Sequence, residues 1–333
     1  MSAPVLFHSA QLDNFHVDPV NGLAFSQDAS LLVTCGHDGY VCVFDVKLGR
    51  AVAALRLNHR ARGLFVTWAS SNNQFILGLS DGRVLVFGVN PFSRKLPVYL
   101  KDNLTYYVNG PVVSLSYWQA HDSLLAVCHS GVCDVWTKPG TGTTPQHTAN
   151  EVLNFWLVNA HAAVIAFRHR GIYAIDLADP DDLKRDQASC PIDWAAVCVS
   201  SYGTTAVEIS GTTVNIFSVL IDNGPLTVAK TQTLRMPVWL KEPSVCGVAT
   251  WRSLVLFVQL SGDGLRVFNL PNGQDVPDPS TSTNAIPFNG EETMAICSAS
   301  DIFNVATVHV TKELVQINIW TSQKPTGKYH WCI

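Results

Sequence analysis

Two stretches of the chain lie over each other at an offset of forty-three residues: Phe25 falls on Trp68, Asp38 on Asp81, Gly39 on Gly82, Phe44 on Phe87 and His16 on His59. Five markers sharing one offset without a gap define a repeated unit, and self-similarity at such a period belongs to blades, solenoid turns or arrays. Within each unit the residues read as strands: LLVTCG, then HDG, then YVCVFDV, with apolar and β-branched side chains running up to a Gly turn and away from it. Gly in that turn can take the positive φ of a tight reversal, so the run predicts a hairpin. The Gly recurs at Gly39, Gly82, Gly131, Gly171, Gly211 and Gly264, followed within four to six residues by Phe44, Phe87, Trp136, Ile175, Phe217 and Phe268. A seventh, weaker unit, FNVATVHVTKELVQINIW, turns over Thr311 to Glu313 and ends on Trp320. Units of roughly 45 residues match the period of a four-stranded blade.

The first unit carries a resemblance. His16-Val-Asp-Pro-Val-Asn-Gly-Leu-Ala-Phe25-Ser26, then Asp28, Leu31-Leu32, Thr34, His37-Asp38-Gly39 and Phe44-Asp45 resemble a WD repeat, whose pattern runs GH, VxxVxFSPDG, LxSGSxDG and WD. Phe15 stands where the Gly of GH is expected and Phe44 where the Trp is, while Gly88, Thr137, Ser218, Asn269 and Thr321 replace the terminal Asp of later units. The match is specific in unit one, good in unit two, and fades afterwards. It implies an all-β fold, a seven-bladed β-propeller of four-stranded antiparallel blades, with residues 1–333 as a single domain. The family commonly closes its ring by letting the N-terminal strand complete the last blade, which removes open sheet edges. Val5 to Leu12 is placed to do this beside the strand ending at Trp320.

In the family a His before the first strand, an Asp in the turn, a Ser or Thr on the second strand and the Trp of the third form a hydrogen-bonded chain inside a blade. Carried over, these are His16, Asp38 and Thr34, with Phe44 unable to donate. Unit two keeps His59 and Asp81 and has Leu77 for the hydroxyl. Both histidines are expected to be buried struts and not catalytic bases or ligands.

Composition agrees with a compact core: 47% of residues are hydrophobic and 14% charged, too few charges for disorder. A propeller grows by adding blades, so this length need not split into domains. No apolar run reaches the roughly eighteen residues of a spanning helix, and no membrane partner is expected. MSAPVLFHSAQLDNF lacks a basic n-region and a clear apolar h-region, which predicts an intracellular protein, in the cytoplasm or the nucleus. Nine cysteines fall in no CxxC or zinc-like spacing, so no metal is expected. Cys35 with Cys42, and Cys128 with Cys133, could face each other across hairpins, but an odd count in such a compartment predicts reduced, buried thiols.

A search for chemistry finds no GxSxG, HExxH, Walker loop or GxGxxG. His37, His129 and His169 each precede their turn Gly by two residues, but equivalent positions in a ring are held apart. The inner strands of units one to three read NGLAFS, GLFVTW and VVSLSYW, without a carboxylate or amine. A glycosidase or metal-dependent hydrolase would need converging acids or ligands there. No cofactor is expected, and an enzyme with its acids at the channel mouth of blades 4–7 stays open as an alternative. Trp68, Trp118 and Trp251 fall near inner-strand ends, where an aromatic is core before it is a sugar platform; a lectin-like or small-molecule-binding propeller is the other alternative. A net charge of −4 and only 22 Lys and Arg leave no broad basic surface for nucleic acid.

The segments leading into the inner strands differ in character. Unit two is approached through His59, Arg60 and Arg62, unit three through Tyr106 and Tyr107, and later units through Asp193 and Trp194, Trp239 and Glu242, and Glu291 and Glu292. If these segments open on one face, that face is basic on one side, aromatic next to it and acidic opposite, which would orient a protein partner. Three long segments, 90–110, 138–150 and 270–290, read as insertions or an irregular outer strand, and as further contact regions. The expectation is a non-catalytic protein–protein interaction scaffold, monomeric as a fold, whose partners are other proteins.

Overall fold

A computed structural model describes residues 6–12, 15–57, 61–69, 73–90, 97–118, 124–129, 132–137, 142–143, 152–159, 161–167, 169–177, 179–184, 192, 194–200, 203–211, 213–220, 227–235, 245–251, 254–261, 264–269, 274–276, 292–299, 302–310 and 315–322. Among these the regular structure is all strand, and the strands form seven four-stranded antiparallel sheets.

The first sheet holds β2 (Val20–Phe25), β3 (Leu31–Gly36), β4 (Tyr40–Asp45) and β5 (Arg50–Arg56), and the second β6 (Gly63–Trp68), β7 (Gln74–Leu79), β8 (Arg83–Val89) and β9 (Val98–Tyr107). The third comprises β10 (Val112–Trp118), β11 (Leu124–His129), β12 (Val132–Thr137) and β13 (Gly142–Thr143). Next come β14 (Val152–Leu157), β15 (Ala162–Phe167), β16 (Gly171–Asp176) and β17 (Asp179–Lys184). The fifth is β18 (Trp194–Ser200), β19 (Gly203–Ser210), β20 (Thr213–Leu220) and β21 (Thr227–Arg235). In the sixth lie β22 (Val245–Trp251), β23 (Leu254–Ser261), β24 (Gly264–Asn269) and β25 (Gln274–Val276). These six sheets are meanders in chain order.

The last sheet is the exception. Three of its strands, β26 (Glu292–Ala299), β27 (Ile302–Val310) and β28 (Val315–Thr321), come from the C-terminal region, and the fourth is β1 (Phe7–Leu12). The β1 strand pairs antiparallel with β28, Phe7 opposite Thr321 and Leu12 opposite Ile317. Val5, the start of the stretch read from the sequence, lies outside the described residues. First strands of successive sheets touch in series, β2 to β6 and onward to β26, and β26 in turn touches β2.

In the first sheet the second and third strands are apolar on both faces because that sheet packs between the second and the last. Every residue of β3 is buried. Val33 and Cys35 pack toward Phe75, Leu77 and Leu85 of the second sheet, whereas Leu32 of the same strand packs toward Ile317 and Ile319 of the last. Alternation along a strand delivers one set of side chains to each neighbour. Close approach also requires Gly63: a Cβ there would fall 2.5 Å from Cys35 Cβ. The reversals use Gly39 and Gly82, at φ +74° and +83°, as a hairpin with left-handed backbone demands.

Of the two readings of the long segments, insertion or outer strand, 90–110 is largely the outer strand: the ten-residue β9 completes the second sheet against β8, while 138–150 and 270–290 contribute the short outer strands β13 and β25 within the described residues. One expectation changes. Cys128 and Cys133 are joined in a disulfide, where the sequence predicts free thiols. They stand directly opposite each other in the β11–β12 ladder, a juxtaposition that brings the two sulfurs within bonding reach. Cys35, Cys42 and Cys198 are free and buried, and burial raises all three thiols, Cys42 to about 12 and Cys35 well above its ordinary value.

Candidate functional site

His16 is buried between the first turn and the second strand. Its Nδ1–H donates to Asp38 Oδ2 at 3.0 Å, and its Nε2 accepts the Thr34 hydroxyl at 2.8 Å. Asp38 also accepts the backbone N–H groups of Val17 and Tyr40. Burial opposes its charge, but the His16 bond and these backbone donors outweigh it and hold the carboxyl below its ordinary value. Phe44 packs beside Phe15 and offers no donor.

The other sheets occupy equivalent places differently. Asp81 is exposed and pairs with Arg83 at 2.8 Å, while His59 lies outside the described residues. In the third sheet His129 Nε2–H donates to Asp134 at 2.9 Å. In the last sheet the indole N–H of Trp320 donates to Thr307 Oγ1 at 3.1 Å. Thr307 stands two residues beyond Val305, the residue opposite Trp320, as Thr34 stands two beyond Leu32, opposite Phe44. By the same count Glu208 takes this slot in the fifth sheet. It is fully buried and accepts Asn215 Nδ2–H at 3.1 Å, and Asn215 in turn accepts the Thr233 hydroxyl. Sequence reading missed Thr307 and Glu208: they stand thirteen and nine residues before Trp320 and Phe217, against ten from Thr34 to Phe44, so the shared place emerges only from strand pairing.

Loops leading into inner strands are fastened to hairpin turns at one end of the first two sheets. Leu57 N–H donates to the Gly39 carbonyl and Val108 N–H to that of Gly82. Arg62 and Ser80 are tied twice, Arg62 N–H to Ser80 Oγ and Ser80 N–H to Arg62 O. The side chain of Arg62 is exposed on this base, and Tyr107 is 73% exposed at the end of β9. Tyr106 is half-buried beside Ile76 and Val84, and burial raises its hydroxyl. Both tyrosines therefore belong to a strand end, not to a free loop. Trp194 begins β18 and Glu292 begins β26. Their side chains, and Arg60, Asp193, Trp239, Glu242 and Glu291 altogether, lie outside the described residues.

The inner strands β14, β18 and β22 read VLNFWL, WAAVCVS and VCGVATW, and β26 carries only Glu292 as an acid. Among the described residues no His, Cys, Asp and Glu gather in a group able to hold a metal, and no helix is long and apolar enough to cross a membrane. Trp68 is 8% exposed and packs between sheets, in contact with Phe75.

Residues 11–45 match the family described as WD domain, G-beta repeat. No curated protein matches the chain. The family supports protein interaction as the general kind of function, and its members are generally non-catalytic. The match covers one repeat of that family, and the array of four-stranded antiparallel sheets around residues 11–45 fits a WD-repeat propeller.

Proposed function

We propose that residues 1–333 form one seven-bladed β-propeller, closed by β1, that serves as a non-catalytic platform for protein partners. The working surface is the end of the sheets where inner-strand approaches and hairpin turns meet. One observation carries this reading: Arg62 and Tyr107 are exposed on backbone that is hydrogen-bonded to the turns at Ser80 and Gly82. Anchors held in place before binding lose little entropy when a partner arrives, and Arg and Tyr are over-represented among residues that dominate interfaces. Arg60 would extend the basic side of this face. Asp193, Trp194, Trp239, Glu242, Glu291 and Glu292 would give the opposite side its acids and further aromatics, a polarity that fixes a partner's orientation.

The test is affinity capture from native extract with the wild type and with a double variant, Arg62→Glu and Tyr107→Ala. Both positions are exposed, so the variant should keep the wild-type Tm. Loss of a specific set of bound proteins supports the reading, and an unchanged set counts against it.

A further inference from the structure

The stretch 46–101 holds nine Lys and Arg and a single acid, Asp81, in a chain whose formal net charge is −4. It supplies the outer strand of the first sheet and most of the second. Lys47, Arg50, Arg56 and Arg62 are exposed. Within this basic region the two sheets part to leave a cleft of about 390 Å³. Leu55 and Leu57 form one wall, Leu85 and Phe87 the floor, and Leu100 and Tyr107 the opposite rim.

The pairing of β8 with β9 sets these residues on one face: Arg83 is opposite Tyr107, Leu85 opposite Thr105, and Phe87 opposite Leu100. Leu85 and Phe87 are 6% and 5% exposed, whereas Leu100 is 39% exposed, so the floor is core and the rim is accessible. Arg83, bonded to Asp81, closes one end. Arg56 lies on the β5 wall with its guanidinium over the Tyr40 ring, and among the described residues no carboxylate pairs with it. The β5 strand is the outermost of its sheet, so one edge of its backbone can accept an added strand.

We infer that the cleft between β5 and the β8–β9 face binds an extended acidic peptide segment of a partner protein. An aliphatic side chain of the segment sits over Phe87 against Leu100, and its carboxylates face the surrounding cations. Charge complementarity selects the acid, and the apolar floor selects the aliphatic group. A phosphate surface would use the cations and leave the floor unfilled, which favours a peptide over a lipid headgroup or RNA. The inference rests on the platform reading above and extends its surface past Tyr107, which borders the cleft.

Random dodecapeptides displayed to the intact protein provide the test, with enriched sequences made as fluorescein conjugates and titrated by anisotropy. Enrichment of Asp or Glu beside Leu, Ile or Val is expected, with binding weakened by salt. Leu100→Arg blocks the floor while adding to the positive charge, and Arg83→Leu removes charge while keeping the floor apolar. Each should weaken binding about tenfold or more, as loss of an interface anchor does, with Tm unchanged. The inference is overturned if no such peptides are enriched, or if they bind Leu100→Arg as tightly as wild type. Binding of phosphatidylserine vesicles or single-stranded RNA that Arg83→Leu weakens and Leu100→Arg does not, without peptide enrichment, also overturns it. If Leu100→Arg retains every captured protein while Arg62→Glu with Tyr107→Ala loses them, the cleft inference falls and the platform reading stands. Retention by both variants removes both.

Discussion

The indole N–H of Trp68 donates to the main-chain carbonyl of Ala24 at 2.8 Å, linking the inner strands of the first and second sheets through a partly buried contact. Trp68→Phe keeps a ring against Phe75 and loses the donor, so it should cost about 1–2 kcal/mol. Trp68→Ala also empties the space between the sheets and should cost about 3–5 kcal/mol. Urea denaturation separates the two, and equal losses would contradict the division between bond and packing.

Asp38 is held below its ordinary value in the fold, so it binds protons more weakly there than in the unfolded chain, where its value is about 3.9. The stability it contributes is therefore present above that value and is lost as pH falls below it. Asp38→Asn should destabilise the protein by about 1–3 kcal/mol at neutral pH. Between neutral pH and about pH 3 the variant should also show a shallower loss than wild type. Parallel curves for the two proteins would contradict a carboxyl held below its ordinary value in the fold.

Gly63 and Gly211 make a controlled pair. A methyl group at Gly63 would fall 2.5 Å from Cys35 Cβ, whereas one at Gly211 meets nothing within 4 Å and only has to accept φ +55°. Gly63→Ala should cost about 1–3 kcal/mol through overpacking. Gly211→Asn, a residue that tolerates left-handed backbone, should change Tm little. Thermal unfolding of both tests the close approach of the first two sheets, and an unchanged Tm for Gly63→Ala would contradict it.

The bridge between Cys128 and Cys133 predicts that these two residues resist alkylation in the unfolded, unreduced chain, as peptide mapping would reveal. The loop it closes is short and its strands are already paired, so reduction should lower stability by no more than about 2 kcal/mol. Modification of both thiols without reductant would remove the bridge from the account.

The offset between units one and two was legible because the two sheets are built alike in detail. Both hairpins turn on a Gly at positive φ, and both inner strands bulge after their first residue, at Val20/Gly22 and Gly63/Phe65. The fifth, sixth and last sheets pair without that bulge, which shifts the register by which an aligned pattern would be recognised. The His16, Asp38 and Thr34 cluster could be located because the first unit keeps its spacing. Thr307 with Trp320, and Glu208 with Asn215, meet only through strand pairing, and neither pair has a local pattern to announce it. The β9 strand was obscured by the Pro, Asn and Lys around it, since tertiary pairing with β8 overrides weak strand propensity. Tyr107 and Arg62 were picked from the sequence, but Leu100 and Phe87 become a site only when the first two sheets stand side by side.

A closed ring requires that β1 be the fourth strand of the last sheet and that β26 rest against β2. Hydrogen exchange on a chain lacking residues 1–12 tests this most directly. Faster exchange across 292–322, with protection of 63–118 retained, is the predicted result. Unchanged protection of β28 after the deletion would contradict the closure and the platform built on it.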